Sequence, residues 1–284
     1  ERLRVRGLGG KVLMDREAPA ALLEPPGAAI AATERLLAAG GRRAAVTPRF
    51  AVSCSPELLA SAGALARRTG APVMTHLAEN QQEVALVRSM FKEHRSYTEV
   101  YAASGLLTPR TIVAHAIHLD DEDWRALARS GAGVAHCPTA NLALGSGRMP
   151  LERLRAHGVR FALGTDVGAG PSLSLWHVID AYLRVHRGRA EVTPAEALYR
   201  ATRAGAELLG LPGGILAPGA PADLAAFRLP GGGRPPADGE DLVRDLAAAT
   251  AGDPEPCALL TVRGGQVLHG PPGLAAGAGA GARR

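Results

Sequence analysis

Five residues stand where the chain could do chemistry: Arg49, His76, His115, His136 and Asp166. Each lies at or just past the end of a short apolar run. The runs are 44–47, 72–75, 111–114, 133–135 and 161–164, preceded by one at 10–14. A single histidine after a strand is ordinarily a hydrogen-bonded structural residue. Three histidines and an aspartate at successive strand ends point instead at one focus, because parallel βα units build their sites at the carboxyl ends of strands. Two imidazoles and a carboxylate suit Zn²⁺ or Fe²⁺, with a position open for water. Such a metal lowers the pKa of water toward neutrality, and a proton carrier is then needed. Glu79, three residues past His76, has the reach for that role. Its plainer reading is an acid in the first turn of a helix.

The elements that must position these residues follow from the spacing between the runs. Apolar residues at three- and four-residue intervals predict helices: Leu58, Leu59, Ala62, Leu65 and Ala66; then Val84, Val87 and Met90; then Leu151 and Leu154. Pro56 and Pro109 stand near expected helix starts, and Gly40, Gly70 and Gly158 near helix ends. Strand and helix alternate, so the expected class is α/β with a parallel sheet. Two further helices are expected over 173–187 and 194–209, the second opened by a Thr193–Glu196 capping box. Past Gly210 the glycines and prolines multiply. Strands are expected at 223–229, 259–262 and 266–268, with a loop at 231–240 and a turn at Arg263-Gly264-Gly265. Residues 273–284 are low in complexity.

Composition narrows the function classes. The chain has 284 residues, is 46% hydrophobic and carries a net charge of +5 that is almost wholly arginine. The arginines are scattered among acids, and aromatics are 4%, which is no nucleic-acid footprint. No run of about 18 apolar residues exists for a membrane span. Three separated cysteines, Cys54, Cys137 and Cys257, support neither a disulfide framework nor a thiol metal knuckle. A reducing cytoplasm is the expected location. His118 reads as structural, as do His94, His157, His177, His186 and His269. The run Asp120-Asp121-Glu122-Asp123 reads as a helix N-terminus. Gly164-Thr165-Asp166-Val167-Gly168-Ala169-Gly170 lacks the ending of a phosphate-binding loop.

The set of His76 with Glu79, His115, Ala135-His136-Cys137-Pro138-Thr139-Ala140-Asn141 and Gly164-Thr165-Asp166 resembles the amidohydrolase superfamily of metal-dependent (β/α)8 barrels. Gly214-Ile215-Leu216-Ala217-Pro218-Gly219-Ala220-Pro221-Ala222-Asp223-Leu224 is similar to the start of that superfamily's composite β-sandwich. Within it, Thr47-Pro48-Arg49-Phe50, His76-Leu77-Ala78-Glu79-Asn80, Tyr97-Thr98 and Val100-Tyr101 resemble the guanine deaminase family. That resemblance implies metal ligation by His76, His115 and Asp166. It implies proton transfer by Glu79 and Asp166, with His115 a ligand or an orienting group. Arg49, Phe50, His76 and Asp166 are the implied substrate contacts, and His136 and Asn141 shape the site. The implied reaction is hydrolytic deamination of guanine to xanthine and ammonia. The cytidine-deaminase design is absent, since neither His-x-Glu nor Pro-Cys-x-x-Cys occurs.

The chain departs from the family in one respect. The His-x-His pair of the family's first strand is missing, and His76 is the first histidine. Six βα units are expected, where a closed barrel has eight. The expected architecture is therefore an N-terminally truncated barrel over 1–210, part of a β-sandwich over 211–270 and a tail over 271–284. Weak metal retention is expected, as is oligomerisation through open strand edges, a homodimer included. Two other readings stay open: deamination of another heterocycle (a triazine, pterin or adenosyl compound), and a non-catalytic scaffold.

Overall fold

The computed structural model describes residues 6–229, 238–250 and 257–271. The 273–284 tail and most of the 231–240 loop lie outside them. The chain divides into two compact units: Glu1–His136 with Leu144–Phe161, and Cys137–Ala143 with Ala162–Arg284.

The first unit is an alternation of parallel strands and helices. β1 (Val12–Leu13) pairs in parallel with β2 (Thr47–Pro48). A single parallel bridge, Val46 to Val73, joins that pair to a sheet ordered β3 (Val73–Leu77), β4 (Thr111–His115), β5 (Gly133–His136), β6 (Arg160–Leu163). The β3–β4 and β4–β5 pairs are parallel. Spatial order therefore follows chain order, as the sequence predicts, although β3 runs one residue past His76 rather than ending before it. The division between the units falls inside β6.

Between the strands lie α1 (Pro26–Gly40), α2 (Pro56–Thr69), α3 (Gln81–Met90), α4 (Tyr97–Ala103), α5 (Asp121–Ser130) and α7 (Leu151–Ala156); α6 (Pro138–Ala143) belongs to the second unit. Ser55 caps α2 by accepting the Leu58 N–H at 3.1 Å. The acidic run caps α5: Asp120 and Asp123 form a reciprocal capping box. The Asp123 carboxylate also takes the Thr98 N–H of α4 at 3.1 Å. Pro109 does not start a helix. It sits in the turn before β4, where the Thr108 hydroxyl accepts the Arg110 N–H at 3.1 Å.

In the second unit α8 (Leu175–His186) appears where expected, but 194–209 is not one helix. It is α9 (Pro194–Ala201) and α10 (Arg203–Leu209), broken at Thr202 with φ −126° and ψ −86°. The Thr202 hydroxyl bonds back to the Leu198 carbonyl at 2.7 Å, a local competitor of the helix ladder. Thr193 caps α9 through the Glu196 N–H, yet the Glu196 carboxylate takes the Tyr182 hydroxyl and Arg200. α11 (Gly239–Thr250), which the sequence reading had not placed, packs on α8 and α9. β7 (Leu224–Phe227), β8 (Ala258–Arg263) and β9 (Gln266–His269) form an antiparallel sheet, with Gly264-Gly265 turning β8 into β9. No helix among the described residues is long and apolar enough to cross a membrane.

Two buried tyrosines of α4 brace the junction of β2 with β3. The Tyr101 hydroxyl donates to the His76 carbonyl at 2.7 Å and receives the Ala51 N–H at 3.0 Å. The Tyr97 hydroxyl lies 3.2 Å from the same Ala51 N–H. Burial pushes both phenols well above their ordinary range.

Raised phenol pKa values favour the protonated, folded state. Their contribution is complete below the unfolded pKa of about 10 and is lost as pH rises above it. A spectrophotometric titration at about pH 11 is expected to leave Tyr97 and Tyr101 unionised until the chain unfolds. Ionisation of all four tyrosines in the folded chain would contradict this packing. At Gly63, inside α2, a Cβ would lie 1.8 Å from the Ser104 carbonyl oxygen. Alanine is the better helix former by about 1 kcal/mol. The clash outweighs that gain, so Gly63→Ala should lower stability by about 1–3 kcal/mol in urea unfolding. An unchanged or higher midpoint would refute the close approach.

Candidate active site

The site of the first unit is assembled from the ends of β2, β3 and β4. Arg49 follows β2 directly, and its carbonyl is a shared acceptor. It takes the His76 N–H at 3.0 Å, the His76 Nδ1–H at 2.9 Å and the Thr75 hydroxyl at 3.2 Å. A carbonyl only accepts, so this bond puts the ring proton on Nδ1 and the lone pair of His76 on Nε2. The Arg49 guanidinium is exposed and stands 5.9 Å from the centroid of the half-buried Phe50 ring.

His115 reaches His76 by leaving strand geometry. In the β3–β4 register His115 is opposite Leu77, while His76 is opposite Ala114. Strict alternation would send the His115 side chain to the face opposite His76. Instead His115 has φ 70°, and its ring centroid lies 5.3 Å from that of His76, tilted by 32°. Ala78 (φ 50°) and Ala116 (φ 52°) share the left-handed conformation. Non-glycine residues there cost on the order of 1 kcal/mol or more each, and such strain clusters at functional sites. Backbone bonds hold it in place: Ala116 N–H to Leu77 O at 2.9 Å, and Ile117 and His118 N–H to Ala78 O, both at 3.1 Å.

Glu79 is not the first-turn acid of α3. That acid is Glu83, which forms a capping box with Asn80 and takes the Glu79 N–H at 2.8 Å. Burial raises the Glu83 carboxyl pKa, opposed by the Tyr97 hydroxyl and the Glu79 and Asn80 N–H groups. Glu79 itself precedes the cap, so its side chain is released to the site. Its Oε2 lies 3.7 Å from His115 Nε2, and its Oε1 accepts the Ser146 hydroxyl at 2.9 Å. His118 is structural, as expected: its Nε2 bonds the Ser146 carbonyl at 2.9 Å. A polar cavity of about 640 Å³ opens here, lined by Glu79, Asn80, His118 and Ser146 among others. Ser146 was missed by the sequence reading; its one local signal is a serine between two glycines.

Asp166 belongs to the second unit and also has positive φ, 47°. Its carbonyl accepts the Gly170 N–H at 2.6 Å, closing a tight turn. A Cβ at Gly170 would lie 2.1 Å from the Thr165 carbonyl oxygen, so this turn requires glycine. His136 ends β5 and is buried, as is Asn141 in α6.

The imidazoles fit a metal as two of its ligands. His76 has its Nδ1 proton committed to a carbonyl, the outer bond that ligating histidines commonly make. Among the described residues, no group of three or more His, Cys, Asp or Glu could hold a metal ion.

The amidohydrolase family model matches residues 1–268. A probable guanine deaminase of Deinococcus radiodurans is 39% identical over 235 residues, covering 79% of this chain and 54% of that protein. Among solved structures, guanine deaminase of E. coli matches with TM-score 0.87 and 30% identity, covering 95% of this chain and 66% of that one. A guanine deaminase of C. acetobutylicum with guanine bound in its active site matches with TM-score 0.86 and 28% identity, covering 94% and 66%. The chain spans between a third and about half of the length of the first curated relatives it matches. Its parallel strands in chain order, the strained histidine end of β4 and the match over residues 1–268 make this chain a member of the amidohydrolase family.

Proposed function

We propose that this chain acts as a guanine deaminase, converting guanine and water to xanthine and ammonia. The observation that carries this reading is the meeting of two imidazoles and the Glu79 carboxylate at the ends of β3 and β4, with the Arg49 carbonyl bonded to His76 and Phe50 following in the chain. Its support is the guanine deaminase identity of the relatives and the guanine bound in one structural neighbour. The barrel is of the (β/α)8 type, with β7–β9 part of a sandwich and His76 and His115 the metal ligands of the first unit.

The family is typically metal-dependent. A Zn²⁺ or Fe²⁺ ion held by His76 and His115 would supply Lewis acidity that brings the pKa of a water near neutrality. The chain's own residues do the rest. The Arg49 fork matches the paired O6 and N7 acceptors of guanine, and Phe50 offers a face to the ring. Glu79 takes a proton from the attacking water and returns one to the amino nitrogen leaving C2. His115, close to Glu79 Oε2, orients the water and substrate. Among the described residues the cysteines form no disulfide, which suits a reducing compartment.

Because metal is expected to be held weakly, the purified protein is expected to release ammonia from guanine when Zn²⁺ or Fe²⁺ is supplied in excess. Glu79→Gln should lower kcat by about 10²–10⁴-fold, the usual worth of a general acid–base. Full turnover in that variant would remove Glu79 from the mechanism. Arg49→Ala should weaken guanine use by about 10–100-fold in kcat/KM, the worth of a charged hydrogen-bond donor. Ammeline and a pterin serve as comparison substrates. If guanine turnover were unaffected while another heterocycle suffered, the substrate assignment would pass to that heterocycle. Guanine binding without turnover of any substrate would favour the non-catalytic scaffold.

A further inference from the structure

Glu79 is held from two sides, and only one of them belongs to its own strand–helix connection. From α3, Glu83 fixes the Glu79 backbone through its N–H at 2.8 Å. From across the unit, the Ser146 hydroxyl donates to Glu79 Oε1 at 2.9 Å. Ser146 is in turn held by His118, whose Nε2 lies 2.9 Å from the Ser146 carbonyl. A carbonyl only accepts, so this ring carries its proton on Nε2. His118 follows β4 by three residues, and its own N–H is bound to Ala78 O, next to Glu79 in the chain. Ser146 is 8% exposed.

We propose that Ser146 is a positioning residue for Glu79, and that His118 sets Ser146. The hydroxyl fixes Oε1 and thereby turns Oε2 toward His115, 3.7 Å away. A glutamate side chain has three rotatable bonds and loses substantial freedom when held in one orientation. Without the serine donor, Glu79 spends less time facing His115, and the fraction of complexes ready for proton transfer falls. Substrate contacts are made elsewhere, so the loss appears in kcat rather than in KM. The catalytic part of this proposal rests on the reading of Glu79 as the proton carrier.

The test reads Glu79 directly as well as through turnover. In protein labelled with ¹³C at glutamate carboxyls, the Glu79 resonance is identified by its disappearance in Glu79→Gln. Ser146→Ala should move it at fixed pH, Ser146→Thr should restore it, and His118→Ala should move it in the same direction. Ser146→Ala should also lower kcat for guanine by about 10-fold with KM within about two-fold. A Glu79 resonance unmoved by Ser146→Ala, or moved equally by Ser146→Thr, overturns the positioning role whether or not turnover is present. A moved resonance with unchanged kcat, in protein that Glu79→Gln inactivates, overturns its part in catalysis. A moved resonance in protein whose turnover survives Glu79→Gln leaves the positioning in place and removes the proton-carrier reading instead.

Discussion

The site depends on one backbone clasp, the set of hydrogen bonds between the turns that leave β3 and β4. Leu77 and Ala78 offer carbonyls, and Ala116, Ile117 and His118 fill them. This clasp holds His115 and Ala116 in left-handed backbone. Left-handed alanine and histidine are each unfavourable by on the order of 1 kcal/mol, about what one net hydrogen bond contributes. Three such bonds at one junction are enough to keep the strained conformation populated. The return on that strain is geometric. A regular strand would put His115 and His76 on opposite faces of the sheet, whereas the clasp brings their rings within 5.3 Å.

Much of this site was legible in the sequence because parallel strands are buried and read as short apolar runs. The first polar residue after such a run marks the strand's carboxyl end, which is how His115 and His136 show themselves. The capping acids of α5 were legible for a similar reason, since the residues that satisfy a cap lie within one turn of it. Glu79 was half legible. Its spacing from His76 indicated reach, but its freedom depends on Glu83 serving the cap of α3 instead.

The remainder was hidden because it rests on long-range contact or on uncharacteristic residues. Left-handed backbone is ordinarily announced by glycine, but Ala78, His115 and Ala116 carry no such sign. Ser146 lies 67 residues from Glu79, so nothing local pairs them. The break at Thr202 turns on one hydroxyl competing with the ladder, a choice that periodicity does not encode. α11 did carry a signal in Leu242, Val243, Leu246 and Ala247, at helical spacing. The loop expected over 231–240 ends where that signal begins.

The bond that sets the His76 tautomer ties the proposed metal ligand to the proposed substrate-binding segment. The Arg49 carbonyl that fixes the Nδ1 proton belongs to the residue whose guanidinium is proposed to bind the substrate. The peptide after that carbonyl leads to Phe50, and the next N–H, from Ala51, rests on the tyrosine pair of α4. Tyr101 also donates to the His76 carbonyl. The imidazole, the guanidinium and the aromatic ring are therefore mounted on one short hydrogen-bonded frame. A shift of the 49–51 segment moves the ring nitrogen that would bind a metal along with the groups that would grip a purine. In the proposed reaction, placing both sets of groups on this frame would limit independent movement of nucleophile and substrate, the misalignment to which bimolecular attack is most sensitive.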